Sequence, residues 1–124
     1  MNYKKLTVFL LLLLVLTSPL VWATTTIGEG RKEVTTAGTA VALSATSKDV
    51  TEVNICAETN NTGVVVIGSS TVIASLATRT GVPLEANDCQ TIALDRNRSI
   101  NLTSIYIDST VDTEGVTYNW VRQV

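Results

Sequence analysis

The chain of 124 residues has no histidine. Ser-His and Cys-His nucleophile pairs are therefore absent, and so is every metal site that needs an imidazole. A Ser-Lys dyad would have to use Lys32 or Lys48. Both stand in polar, loop-like stretches without the apolar surroundings that activate an amine. Basic residues are few: beyond Lys4 and Lys5 there are Arg31, Lys32, Lys48, Arg79, Arg96, Arg98 and Arg122. They are scattered and form no stripe, so nucleic acid is not an expected partner, and Arg96-Asn97-Arg98 reads as a solvated turn. Aromatic residues make up 5% of the chain, too few for an extended stacking surface, and beyond Ala23 no segment carries a helical period. No catalytic residue and no cofactor is expected.

What is present begins with "MNYKKLTVFLLLLLVLTSPLVWATTT". Two lysines precede an apolar run from Leu6 to Leu16, Pro19 breaks it, and Val21 and Ala23 occupy the two positions a signal peptidase reads. Residues 1–23 are thus expected to form a signal helix, cleaved after Ala23 or retained as an anchor. A bilayer crossing needs about 20 apolar residues, and this run falls short of that. In either case the remainder leaves the cytoplasm and touches a membrane only through this segment. Lys4 and Lys5 leave with a cleaved signal, so seven basic residues then face eleven acidic ones.

The mature part is rich in Thr, Val, Ile and Ser, with turn residues at short intervals, the pattern of an all-β domain. Residues 24–35, "TTTIGEGRKEVT", read as a flexible leader with two glycines. Residues 36–124 read as six to eight short strands in a single small antiparallel β-sandwich, jelly-roll or immunoglobulin-like, with a small barrel as the alternative. "VVVIGSS" is continuously apolar, as in a strand buried on both faces or lying at a core edge. In an exported chain the two cysteines, Cys56 and Cys89, read as a disulfide. Strand parity agrees: with Val53, Ile55 and Ala57 inward, Cys56 points outward, and with Ile92 and Leu94 inward so does Cys89. Val116, Tyr118 and Trp120 share one face of the last strand, and Tyr106 lies between Ile105 and Ile107 on the other side of its own. Tyr106, Tyr118 and Trp120 are the candidate ligand contacts.

"YIDSTVDTEG" gathers Asp108, Asp112 and Glu114. An aspartic-protease turn would need glycine where Thr110 stands. Three carboxylates on one turn are also the elements of a weak extracellular calcium loop, but their spacing matches no dedicated one. The preferred reading is a loop between the last two strands, with Gly115 supplying a positive φ and the carboxylates as surface charge.

Read end to end, "AGTAVALSATSKDVTEVNICAETNNTGVVVIGSSTV", "GVPLEANDCQTIALD" and "SIYIDSTVDTEGVTYNW" resemble a small β-domain of tailed-bacteriophage virion and virion-associated proteins. Gly38 to Ser47, Asn61 to Ser69, Gly81 to Leu84 and Ile105 to Trp120 carry the match. The resemblance transfers no catalytic residues. It implies a decoration, fibre or tail-associated sandwich, often a homo-oligomer, whose partners are itself or components of a virion or cell surface. A glycan- or receptor-binding module using the three aromatics is the alternative.

Overall fold

Ten strands follow from the alternation of apolar and polar residues in the computed structural model, which describes residues 23–123. The signal or anchor segment, up to residue 22, lies outside these residues. The strands are β1 (Thr25–Val34), β2 (Val41–Ala42), β3 (Asp49–Val50), β4 (Glu52–Ala57), β5 (Val65–Gly68), β6 (Val82–Leu84), β7 (Cys89–Ala93), β8 (Ile100–Asn101), β9 (Tyr106–Ser109) and β10 (Glu114–Gln123). One 3-10 turn, Leu102–Ser104, is capped by the Asn101 side chain, which accepts from the Thr103 N–H. Among the described residues there is no α-helix, and no helix long and apolar enough to cross a membrane.

All pairings are antiparallel, and they nest. β1 pairs with β10, β2 with β9, β3 with β8, β4 with β7 and β5 with β6. The chain is thus one long hairpin, rolled up so that β10 also meets β4 and β9 also meets β5. Two four-stranded sheets result, ordered β1-β10-β4-β7 and β2-β9-β5-β6. Their inner faces share one core. Val34, Val53, Ile55, Val116 and Trp120 come from the first sheet, Val65, Ile67, Leu84 and Ile107 from the second, with Leu43, Val50, Leu102 and Ile105 between them. Burying each of these side chains contributes about 1.5–3 kcal/mol, which makes the shared core the main source of stability.

β4 shows the alternation cleanly, with Val53, Ile55 and Ala57 buried and Glu52, Asn54 and Cys56 turned out. Val65, Val66 and Ile67 of β5 are all buried, as their unbroken apolar run suggests. The second cover is the segment 69–81, which folds over the outer face of the β2-β9-β5-β6 sheet and packs Val72 and Ala74 on Val66.

The expected leader is a correction. Thr25 to Val34 pair with β10 along their full length. The period-2 signal is weak there because two positions facing the core, Gly28 and Gly30, carry no side chain. Aromatics from the neighbouring strand fill their places. A Cβ on Gly28 would stand 2.1 Å from Cζ2 of Trp120, and one on Gly30 would stand 2.4 Å from Cζ of Tyr118. Only glycine allows the rings to lie across the backbone in this way.

Candidate functional site

The β9–β10 hairpin carries the three carboxylates, Asp108 on β9, Asp112 in the turn and Glu114 at the start of β10, and two of them depart from the expected surface charge. Asp108 lies on the outer face of its sheet, opposite Val66, yet is only 1% exposed because the 69–81 segment covers it. Its Oδ2 accepts from the Ala74 N–H at 2.8 Å and its Oδ1 from the Ser109 N–H at 2.8 Å. Asp112 is exposed, and its Oδ1 accepts from the Ala37 N–H at 2.8 Å. Glu114, 4% exposed, takes the Thr62 N–H at 2.6 Å, the Thr62 hydroxyl at 3.2 Å and the Gly63 N–H on Oε1. The Asn61 side chain meanwhile pairs with both backbone groups of Gly115, as another strand would.

Two of the three are therefore not surface charge. Each carboxylate accepts from the backbone of a different loop, through charge-assisted bonds worth about 1.5–3 kcal/mol where buried. They do not converge: among the described residues no group of three metal-ligating side chains is assembled. The positive φ also belongs elsewhere, to Thr113 at 63°, while Gly115 is part of β10.

Cys56 and Cys89 form the disulfide, directly opposite each other on β4 and β7 with Cα atoms 4.0 Å apart. Both face away from the core. The Ala57 N–H donates to the Asp88 carbonyl and the Leu94 N–H to the Thr51 carbonyl. The odd residues of β4 thus form the hydrogen-bonded pairs with β7, and the disulfide occupies a non-hydrogen-bonded pair, where opposed side chains stand closest.

The three candidate aromatics are not brought together. Trp120 belongs to the core, with the Lys48 ammonium 4.4 Å from its ring centroid, a cation–π contact. Tyr118 packs at the edge of that core. Tyr106 lies on the far side of the other sheet against Val66, Val72 and Ala74.

Two features were hidden in the sequence. Arg122 on β10 joins Arg96 and Arg98 around one surface concavity that also holds Asp49. The other feature is the edge of β1. The Glu58 N–H donates to the Gly115 carbonyl, so the odd residues of β10 direct their backbone groups to β4 and the even ones to β1. In β1 the even residues consequently bond to β10, and the N–H and C=O of Ile27, Glu29, Arg31 and Glu33 point outward. These outward groups have no backbone partner among the described residues. Ile27 is 73% exposed there. Arg31 is bound by Glu58 and, at 3.2 Å, by Glu33. Hydrogen bonds and charge from Glu58, then from Glu33, raise its pKa further above the ordinary arginine range.

No family model matches the chain, and no curated protein matches it. The ten-residue β1 lies at a sheet edge, with outward backbone donors and acceptors and charges of both signs.

Proposed function

We propose that the chain is an exported, non-enzymatic structural protein that acts by assembling with copies of itself, in the manner of virion decoration or fibre domains. The strand order carries this reading. With the two-residue β3 and β8 set aside, the eight remaining strands run first-eighth-third-sixth in one sheet and second-seventh-fourth-fifth in the other. That supports a jelly roll over an immunoglobulin-like sandwich. Jelly rolls are two-sheet folds of eight strands and two Greek keys, frequent in viral capsid proteins and also used by lectins and cupins. The fold does not by itself decide function. The resemblance of the sequence motifs to phage virion domains favours the structural use among these.

Two further observations support it. The disulfide accords with an oxidising compartment, as export requires. The buried carboxylates Asp108 and Glu114 are engaged by backbone donors, which gives them a structural use. Sedimentation velocity of the exported protein over a wide concentration range tests the proposal. Species larger than the monomer, growing with concentration, are expected. A chain that stays monomeric throughout would sink the assembly reading and favour a monovalent binding module.

A further inference from the structure

We infer that two copies of the chain join through β1, edge to edge, in an antiparallel pair centred on Gly30. This rests on the assembly reading above and adds the surface and its occupant: the same edge of a second copy. Paired so, the two β1-β10-β4-β7 sheets become one sheet of eight strands.

The centre follows from side-chain chemistry. In a two-fold antiparallel pair, residues on the same face oppose each other, so the centre must fall on a residue. Centring on Glu29 sets that carboxylate against itself, and centring on Arg31 or Lys32 sets two cations together, all unfavourable directly across a pair of strands. Centring on Gly28 puts Glu29 opposite Ile27 and leaves Arg31 without an opposed charge. Gly30 is the centre that avoids like-charge pairs and also sets opposite charges against each other. Glu29 then faces Arg31 of the second copy, twice by symmetry, and Ile27 faces Glu33.

Atoms at this register are available. The outward backbone groups belong to Ile27, Glu29, Arg31 and Glu33, so both Glu29–Arg31 pairs fall where strands exchange hydrogen bonds. Among the described residues Glu29 has no ion-pair partner. Arg31 uses Nε and Nη2 on Glu58 and Glu33 and keeps Nη1 without a hydrogen-bond partner. Among the described residues the edge thus carries a free acceptor and a free donor two residues apart, complementary to the same edge reversed. Tyr118 leans over Gly30, so the same centre brings two half-buried rings together. Natural edges meant to stay single are blunted by proline, bulges or one-sign charge. β1 has no proline and pairs with β10 without a bulge, and its one inward-facing charge, Lys32, falls opposite Gly28 of the second copy at this register.

Charge reversal tests the pairing in sedimentation velocity with the exported, folded protein. Glu29→Arg, which disturbs no ion pair within the chain, sets cation against cation twice and should weaken the dimer on the order of tenfold or more. Arg31→Glu alone should do the same by setting carboxylate against carboxylate. An equimolar mixture of the two variants restores both attractions, so heterodimers tighter than either variant's own dimer are expected. Ile27→Lys, placed opposite Glu33, should leave the dimer intact or tighter. If the wild type assembles and Glu29→Arg assembles equally well, this edge is not the interface, although assembly stands. A mixture that stays monomeric would overturn the register, and a wild type that never associates would overturn both.

Discussion

Asp108 and Asp112 are four residues apart on one hairpin, and the same substitution should affect them very differently. Asp108→Ala leaves the buried Ala74 N–H without an acceptor and should cost about 2–3 kcal/mol in urea denaturation. Asp112→Ala opens an exposed bond that water can replace, and should cost under about 1 kcal/mol. Hydrogen exchange at Ala74 should accelerate in the first variant alone; equal losses in both would contradict the anchoring role. The sequence could not separate these carboxylates, because their donors lie 34 and 75 positions away, and that of Glu114 lies 52 away. A carboxylate beside Ser, Thr and Gly looks the same whether it is solvated or covered. Only the path of the 69–81 segment decides that.

Strands with full alternation were legible in the sequence, and β1 was not. β4, β5 and β10 each announce their buried residues by spacing or by an unbroken run, and the outward parity of Cys56 and Cys89 followed from the same rule. β1 encodes its inward positions by what Tyr118 and Trp120 bring to them from another strand. Gly28→Ala should therefore destabilise by about 1–3 kcal/mol, because the Trp120 ring has to move out of the core packing to admit a methyl group. Thermal unfolding monitored by tryptophan fluorescence would show it, and an unchanged melting temperature would disprove the glycine–ring packing. At the opposite edge the disulfide closes a separation of 33 residues. Cys56→Ser with Cys89→Ser should lower stability by about 3–4 kcal/mol through the unfolded chain, while the far-ultraviolet spectrum of the folded protein stays the same.

At the scale of the molecule, all-β architecture could be read from turn spacing, but nesting could not, since each pairing joins segments whose sequences say nothing of one another. One result is that residues 24–35 are part of the fold. A chain beginning at Thr36 loses the buried Val34 and one of the two backbone partners of β10, and should melt roughly 10–20 °C lower. Calorimetry of the two chains checks this, and equal melting temperatures would restore the leader reading. Nesting also sets a timetable. An exported chain crosses a membrane from its N-terminus, so β1 emerges first while its partner β10 emerges after every other strand. In the proposed exported chain Cys56 and Cys89 would both be outside before β9 and β10 arrive, and oxidation could clasp β4 to β7 while the outer strands are still unpaired. In the cytoplasm, a chain whose C-terminal strand is still being synthesised has no partner for β1 and cannot close. For a chain exported during its synthesis, as proposed, this order of pairing would keep the polypeptide threadable until β10 is delivered.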